Sequence, residues 1–294
     1  VLAFDTYDVP AALWCAWVLG EPVEDRLLAR LPPLFDAARA DRAPELDLAV
    51  NRLISVTPAL PVARTDPVAL LSASVGMGLR GHEWPSPHPW AAVFPGSVSD
   101  DAERITAAVT IDASRKRAQP LGLYAPPGAA VQIEVDYEHV GTGLTVRVGE
   151  LHDDNRFLEH IDRWQRAPLL LQETPVATAE LVVGSGLGGS MYLIVPDDYP
   201  DAQVEVTVQG AVRQAVYDRD APGNFSADLD GGAPRAILQK RGKVRLVVGT
   251  DAAREVTDPA AVLDFWTAFY DSHAALAREP APRPYESHWL FDVQ

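Results

Sequence analysis

Apolar residues recur at helical spacing through the first part of the chain. The stretch ELDLAVNRLI places its leucine, valine and isoleucine residues along one side of a helix, which is the amphipathic pattern. Asp66 and Pro67 then have the composition of a second helix start. We therefore predict a helical domain over residues 1–81. A Pro-rich linker is predicted over residues 82–98, because proline removes backbone donors and breaks helices.

The spacing changes to a period of two after the linker. Between residues 99 and 217 the apolar residues alternate with polar ones or run together over strand lengths, and both patterns indicate β-strands. No helical pattern interrupts residues 103–211, so parallel βαβ units are not expected and an antiparallel β-sandwich is the natural closure. The predicted strands are ERITAAVTID, AVQIEVD, GLTVRVG, AELVVG, SMYLIVP and AQVEVTVQG.

Residues 218–294 mix the two patterns. AILQK and KVRLVVG predict a pair of strands, and Asp258 with Pro259 predicts the start of a long helix. We expect the last stretch, SHWLFDVQ, to pair with KVRLVVG beneath this helix. The fold class is therefore α+β: a helical domain, an antiparallel β-sandwich over residues 99–217, and a small α+β segment. The residues expected on the buried side of the long helix are Val262, Phe265, Trp266, Phe269 and Tyr270.

Composition and charge exclude several classes of protein. The 294 residues carry a formal net charge of −16, whereas nucleic-acid binding needs clustered Lys and Arg. An apolar content of 47% with 7 Trp residues is typical of a packed globular chain. The single cysteine, Cys15, cannot form an internal disulfide, and the apolar run over residues 11–20 is too short to span a bilayer. We expect no nucleic-acid partner and no membrane span.

The stretch HEWPSPHPW begins like the zinc-protease signature H-E-x-x-H. That signature puts two histidines four apart on a helix, so that both bind one metal ion. Here His88 follows His82 too late, and prolines lie between them. Because those prolines prevent a helix, the stretch is interpreted as part of the linker.

Two further motifs are weak. GSGLGG contains G-x-G-x-x-G at Gly184, Gly186 and Gly189, but a predicted strand follows instead of the helix that a dinucleotide site needs. We interpret it as a Gly-rich hairpin connection. Asp218 and Asp220 begin a segment like a calcium loop, but later positions lack the required oxygens, so a solvated acidic loop is favoured.

A cluster of histidines and carboxylates follows a predicted strand in ELHDDNRFLEHID. Such side chains can ligate zinc or calcium, but their spacing matches no closed ligand set, and a polar loop with a capping aspartate is the favoured interpretation. Trp164 and Arg166, beside it, could stack on a sugar or close the edge of the sandwich. The cluster consists of His152, Asp153, Asp154, His160 and Asp162.

No catalytic constellation stands out. The sequence has no G-x-S-x-G nucleophile elbow, and Cys15 lies in an apolar stretch where a thiol stays protonated. Carboxylates are plentiful, but the sequence does not place any two across a cleft. We therefore name no catalytic, no cofactor-binding and no metal-ligating residue, and we expect no cofactor in this chain.

Several stretches in a fixed order resemble enhancin-like zinc metallopeptidases, which act on mucins and other O-glycosylated proteins. The likeness covers roughly residues 87–294, and several blocks in one order are more specific than any single motif. Beyond the sandwich, KVRLVVGTDAAREVTDPAAVLDFWTAFYDSHAALA and RPYESHWLFDVQ are similar to the lead-in to that family's peptidase domain. The earlier stretches are PHPWAAVFPGSVSDDAERITAAVTID, LGLYAPPGAAVQIEV, GLTVRVGELHDD, WQRAPLLLQET, GGSMYLIVP and VEVTVQGAVRQAVY.

The resemblance implies part of a longer enzyme. The family's H-E-x-x-H zinc helix and its downstream glutamate match nothing in these 294 residues, so no metal ligand carries over and the family's zinc belongs to a catalytic half outside this chain. The chain is then expected to be the non-catalytic N-terminal part, inactive alone, with the start of a peptidase domain in residues 218–294. The family also implies a secreted or cell-surface location and a glycoprotein or mucin-type substrate as partner.

Two other functions stay open. The sandwich could be a self-standing module that binds glycans or glycoproteins, with Trp164, Arg147 and Tyr124 as the suggested contacts. An unrelated hydrolase that uses paired carboxylates is the weakest alternative. Titration with O-glycopeptides tests the first alternative, and a screen of glycosidase and esterase substrates tests the second.

Overall fold

The structure is a computed structural model. Within the part of the chain that it describes, strands are the main regular element, with a few helices between them, which confirms the predicted α+β class. Most of the predicted helical domain falls outside that part, and the predicted domain boundaries stay predictions. The described residues are 53–76, 87–150, 155, 158, 160–168, 172–278 and 287–290.

An antiparallel β-sandwich of two leaves occupies the centre of the molecule, as the period of two predicts. The strands up to residue 213 are β1 (Val62–Ala63), β2 (Ile105–Asp112), β3 (Arg117–Ala125), β4 (Val131–Val135), β5 (Thr145–Val148), β6 (Arg163–Trp164), β7 (Gln172–Pro175), β8 (Glu180–Val183), β9 (Gly189–Val195) and β10 (Gln203–Arg213). Strands β1 and β6 pair in a separate two-stranded sheet, and the other eight strands form the sandwich.

The two leaves meet at strand β10. One leaf has the order β7-β5-β9-β3, and the other has the order β8-β4-β10-β2. The pairing of β10 with β2 shifts register between Gln209 and Ala211, and the end of β10 beyond this bulge pairs with β3. Gly210 has a φ of 93° at the bulge, a conformation that glycine adopts without the strain a side chain would add.

Alternation along the strands builds the core between the leaves. In β10, Val204, Val206 and Val208 are buried while Glu205 and Gln209 are exposed. Successive side chains of a strand point to opposite faces, so the valines face inward and contact the apolar residues of the opposite leaf. Burying one such side chain contributes about 1.5–3 kcal/mol, which is why this pattern determines which face of the strand lies inside.

A second, smaller sheet follows the sandwich. It has the order β11-β12-β13-β14, and the pairing of β12 with β13 is antiparallel while the pairing of β13 with β14 is parallel. The predicted pairing of AILQK with KVRLVVG is confirmed, and the pairing of KVRLVVG with the last stretch is confirmed for its described residues, Ser287–Leu290. The strands are β11 (Val216–Asp218), β12 (Arg235–Lys240), β13 (Val244–Gly249) and β14 (Ser287–Leu290).

A long helix covers the small sheet. The α-helices with bounds inside the described residues are α1 (Pro67–Gly76), α2 (Phe225–Asp228), α3 (Thr250–Glu255) and α4 (Pro259–Ala277). Helix α4 begins as predicted, because Asp258 Oδ1 accepts a hydrogen bond from the Ala261 amide at 2.9 Å. Leu263 and Tyr270 of α4 pack against Leu238 and Leu246 of the sheet.

The predicted buried face of α4 is wrong at two positions. Phe265 is 66% exposed and Phe269 is 49% exposed. Each residue turns a helix by ~100°, so Phe265 lies on nearly the opposite side from the buried Leu263. Trp266, by contrast, is half-buried and makes edge contacts with both phenylalanine rings.

The small sheet lies against the outer face of the β3–β9 leaf. Ala118 and Tyr192 of the sandwich form one buried cluster with Ile237 and Val247 of the small sheet. The order of layers is therefore helix α4, the small sheet, the β3–β9 leaf and the second leaf. Within the described residues, no helix is long and apolar enough to cross a membrane.

The part of the predicted linker that the structure describes, residues 87–98, is anchored to the core by several buried side chains. Trp90 and Phe94 are fully buried in a cluster with Trp164 and residues of α1. The indole Nε1 of Trp90 donates a hydrogen bond to the Pro58 carbonyl at 2.8 Å. These residues therefore join α1 to the sandwich instead of acting as an open spacer.

Candidate functional site

The three residues suggested for glycan contact are all buried. Trp164 lies in β6, 2% exposed, with its ring edge-on to Trp90 at 6.2 Å between centroids. Arg147 of β5 donates from Nε and Nη2 to Glu173 Oε1 on the paired strand β7, at 2.9 and 2.7 Å. The hydroxyl of Tyr124 donates to the Gly96 carbonyl at 2.8 Å. Each residue has its own structural partner, so their role as glycan contacts stays a prediction that this arrangement does not favour.

His88, from the zincin-like stretch, is part of a buried hydrogen-bonded chain. Its Nδ1 accepts a hydrogen bond from the Trp90 amide at 3.2 Å. Its Nε2 lies 2.8 Å from Ser72 Oγ, which in turn lies 2.6 Å from Thr57 Oγ1. Burial lowers the pKa of His88 to about 4, so the imidazole is neutral at pH 7. Ser72 and His88 resemble a nucleophile–base pair, but both are at most 1% exposed and cannot meet a substrate.

A buried polar seam joins the sandwich to the small sheet, and it consists of Glu150, Ser190, Gln214 and Arg235. Glu150 Oε1 accepts hydrogen bonds from the amide and the hydroxyl of Ser190. Gln214 Nε2 donates to Ser190 Oγ at 2.6 Å and to the Arg235 carbonyl at 3.1 Å. Arg235 Nε donates to the Pro95 carbonyl at 2.7 Å. The seam and the Pro95 carbonyl therefore connect five segments of the chain through buried hydrogen bonds.

Glu150 holds its proton more tightly than an exposed carboxyl group does. Burial raises its pKa, while the hydrogen bonds from Ser190 and the charge of Arg235 act in the opposite direction. Glu150 Oε2 and Gln214 Oε1 make no hydrogen bond within the described chain. The sequence analysis missed these residues, although a serine inside the apolar run GGSMYLIV was a possible signal.

The Gly-rich segment connects the two leaves. Strand β9 follows it, as predicted, so the segment lacks the helix that a dinucleotide site needs. The predicted hairpin is wrong, because β8 pairs with β4 in one leaf and β9 pairs with β3 and β5 in the other. A Cβ atom on Gly189 would lie 2.7 Å from the backbone of Gly149, so the glycine allows close approach of two chain segments.

Asp218, the first residue of the acidic loop that resembles a calcium site, has a structural role. Asp218 is 4% exposed, and its carboxylate accepts hydrogen bonds from the Asp220 amide, Gln239 Nε2 and Arg241 Nε. The interpretation as a solvated loop is therefore wrong for Asp218, because β12 and the turn after it supply its partners. Asp220 is exposed, as predicted.

The predicted histidine cluster is only partly described. His160 is exposed, while His82, Glu83 and the segment 151–154 lie outside the described residues. A different group, Asp136, Glu138 and His139, has ligand atoms within 4.8 Å of one another. His139 is held by Tyr199, whose hydroxyl lies 2.6 Å from its Nδ1. We assign no metal ion to this group of exposed carboxylates around one partnered histidine.

An open groove runs along one side of the sandwich. It consists of two adjoining cavities of about 390 and 280 Å³ that share Val109, Leu121, Gly122 and Val216. One wall is strand β2, the edge of its leaf, which pairs only with β10 within the described chain. The opposite wall is β3 with the start of the small sheet. The lining residues include no aromatic side chain on which a sugar ring could stack.

The fold and these sites define a two-leaf β-sandwich module with a small mixed sheet fastened to it by buried polar residues. Residues 100–209, which contain most of the sandwich, match the model of the N-terminal domain of M60-like peptidases. This part of the chain is therefore similar to the N-terminal domain of M60-like peptidases, which confirms the resemblance to enhancin-like enzymes.

Solved structures share the fold. The IMPa metallopeptidase from Pseudomonas aeruginosa matches with a TM-score of 0.62 and 17% identity, over 88% of this chain and 33% of that chain. A structure of IMPa in complex with an O-glycopeptide matches with a TM-score of 0.58, over the same shares of the two chains. At this identity the likeness shows a common fold.

Curated relatives that match in sequence are named as channel-associated factors and not as peptidases. TRPM8 channel-associated factor 3 from Mus musculus is 27% identical over 82% of this chain and 26% of its own length. A TRPM8 channel-associated factor homolog from Xenopus laevis is 29% identical over 59% of this chain and 19% of its own length. The chain thus spans about a fifth to a quarter of these relatives.

Proposed function

We propose that this chain is the non-catalytic N-terminal part of an enhancin-like zinc metallopeptidase that acts on mucin-type or other glycoproteins. The observation that carries the proposal is the match of residues 100–209 to the N-terminal domain of M60-like peptidases. The IMPa fold extends this support to most of the chain, and IMPa has been seen with an O-glycopeptide and with T-antigen.

The residues present do not fit a catalytic zinc ion. A zincin needs two histidines one helical turn apart and a third ligand, and the sequence contains no H-E-x-x-H. The stretch most like that motif is HEWPSPHPW. Its described histidine, His88, has both ring nitrogens hydrogen-bonded to residues of the core. Relatives named as a metallopeptidase and as channel-associated factors share parts of this module, which supports a module that is not itself the source of peptidase activity.

Two measurements test the proposal. The purified chain, with zinc added, is expected to leave an O-glycopeptide and a mucin uncleaved, and turnover that a chelator abolishes would contradict the non-catalytic role. The gene is expected to continue in frame past the codon of Gln294 into an H-E-x-x-H helix and a downstream glutamate. A stop codon directly after Gln294 would overturn the assignment to a longer peptidase.

A self-standing glycan-binding module is the second candidate. The O-glycopeptide bound to IMPa favours it, whereas the burial of Trp164, Arg147 and Tyr124 weighs against the contacts that the sequence suggests. Calorimetric titration with T-antigen and with the matching unglycosylated peptide separates the two candidates, because only a glycan-binding module binds the sugar alone. The same family likeness supports a secreted or cell-surface location as a proposal.

A further inference from the structure

The edges of the sandwich are protected unequally. A strand at the edge of a sheet offers unpaired N–H and C=O groups, and proteins shield such edges with short strands, charged residues or proline. Strand β7 is 4 residues long and contains Glu173 and Pro175. Strand β8 is also 4 residues long and begins with Glu180. Both edges have the usual protection against a further strand.

Strand β2 lacks most of this protection, because its one charged residue, Asp112, is at its last position. It is 8 residues long, and from Ile105 to Ile111 it contains neither a charged residue nor proline. Thr106, Ala108 and Thr110 are exposed, while Ala107 and Val109 pack against the core of the sandwich. Within the described chain one edge of β2 pairs with β10, so the other edge presents its backbone groups to the open groove.

The groove suits an uncharged extended chain. Its floor is apolar where Val109, Leu121 and Val216 meet. Each charged residue of its lining has a partner of opposite charge, and Asp112 pairs with Arg115 just outside the lining. Arg213 lies 3.8 Å from Asp228, and Arg241 contacts Asp218. Because these charges are already matched, no charge is left to attract an ionic ligand, and the missing aromatic residues disfavour a sugar.

We propose that the free edge of β2 binds an extended, uncharged segment of another polypeptide, which adds to the sheet as a further strand. Main-chain hydrogen bonds to β2 supply the affinity, and alternate side chains of the added strand enter the groove over Val109 and Leu121. The added strand lies between β2 and β3, which form the two walls of the groove. This inference is independent of the proposed peptidase assignment, since it rests on the edge and the groove alone.

The test uses a capped octapeptide that alternates threonine and valine, labelled for fluorescence anisotropy. The whole chain is expected to bind it saturably. Two further peptides of the same sequence are N-methylated at alternate residues, one at the odd positions and one at the even positions, and only one of the two is expected to lose at least tenfold in affinity. Equal binding of all three peptides, or no saturable binding to the wild type, would overturn the proposal.

Variants at two edges locate the binding. Val109→Lys places a charge over the groove floor and is expected to weaken peptide binding at least tenfold. Val182→Lys, at an exposed position of the edge strand β8, is the control for a lysine added at a different edge and is expected to bind like the wild type. Loss of binding in the control instead would contradict the assigned edge.

Hydrogen exchange provides a readout that does not depend on how well the variants fold. Amides of residues 105–112 in the wild-type chain are expected to gain protection when the peptide is added, and amides of residues 180–183 are expected not to change. Protection confined to β8 would show that the peptide binds a different edge. A dimer of wild-type chains that pairs through β2 and is unaffected by peptide would show that the proposed occupant is wrong. Sedimentation of the free chain distinguishes the dimer.

Discussion

The Nε2 atom of His88 lies 2.8 Å from the hydroxyl oxygen of Ser72, and both side chains are buried. Since Nδ1 of His88 accepts from the Trp90 amide, the ring proton is on Nε2, and Ser72 accepts it. The Ser72 hydroxyl can then donate to Thr57, and Thr57 Oγ1 donates to the Leu53 carbonyl at 3.0 Å. This chain of hydrogen bonds needs a neutral imidazole at its start.

Acid should therefore loosen the packing around α1. The folded-state pKa of His88 is about 4, below its ordinary value of 6.5, so the fold favours the neutral form. This stabilisation is complete above pH 6.5 and is lost as the pH falls towards 4. The shift corresponds to about 3 kcal/mol in the free energy of unfolding. Urea titrations between pH 7 and pH 4, followed by Trp fluorescence, measure it.

His88→Gln removes the titrating group and retains hydrogen-bonding ability. We expect this variant to be less stable than the wild type at pH 7 but to lose less stability between pH 6.5 and pH 4. His160→Gln, at an exposed histidine, serves as the control and should follow the wild type. If the free energy of unfolding falls equally in His88→Gln and in the wild type over this range, protonation of His88 is not coupled to unfolding and the prediction is wrong.

Glu150 is expected to give the opposite pH dependence. Its pKa is raised in the folded chain, above an ordinary value of 4.5, so the fold favours the protonated form. That contribution is complete below pH 4.5 and is lost as the pH rises through the raised pKa. Glu150→Gln, which is always neutral, should therefore gain stability relative to the wild type as the pH increases from 4.5 to 8.

Denaturant titrations at several pH values check the Glu150 prediction. Glu134→Gln, at an exposed position of β4, should show no such trend. Glu150→Leu should be about 1–3 kcal/mol less stable than Glu150→Gln at every pH, because it leaves the buried donors of Ser190 without their acceptor. A stability difference between Glu150→Gln and the wild type that is independent of pH would contradict the buried, proton-holding carboxyl.

The close approach of two glycines can be tested by adding single methyl groups. Gly189→Ala places a Cβ atom 2.7 Å from the Gly149 backbone, and overpacking of this kind costs about 1–3 kcal/mol. Gly141→Ala is the matched control, since Gly141 also has a positive φ but has no atom within 4 Å of the added position. Thermal melts should rank Gly189→Ala well below Gly141→Ala. Equal melting temperatures would mean that backbone strain, and not contact, controls both sites.

Removal of β14 should destabilise the small sheet. Deleting residues 286–294 eliminates the pairing of Ser287–Leu290 with β13, which exposes backbone groups of β13 that were paired. A fall in melting temperature on the order of 5–10 °C is expected, with increased binding of an apolar dye. Deleting only residues 291–294 leaves the strand intact and should have a smaller effect. An unchanged melt after the longer deletion would contradict the prediction.

The sequence predicted strands best where alternation was clean. The stretches that became β4 and β10 follow the period of two almost without exception, because each strand has one buried face. Strand β3 was missed, because Pro120 and Gly122 interrupt its pattern and its buried position depends on contacts with β9 and with the small sheet. Phe265 was misplaced because aromatic character alone does not determine which side of a helix is covered.

The site was less predictable than the fold. Glu150, Ser190 and Gln214 are far apart along the chain, and only the packing of the small sheet on the sandwich brings them together. Trp164 was expected at the surface as one option, but its partner Trp90 comes from a segment that the sequence indicated as linker. Distant pairings of this kind leave no periodic signal in a single sequence.

The parallel pairing of β13 with β14 also affects how the chain folds during its synthesis. Parallel neighbours require a long crossover, and here α3 and α4 must both emerge before β14 can reach β13. The sandwich, by contrast, has all its strands once β10 has left the ribosome. Domains fold N-terminal part first as the chain grows, so Ala118 and Tyr192 stay uncovered on the finished leaf until the small sheet arrives. A translational pause between β10 and β14 would prolong the exposure of that apolar surface to other nascent chains.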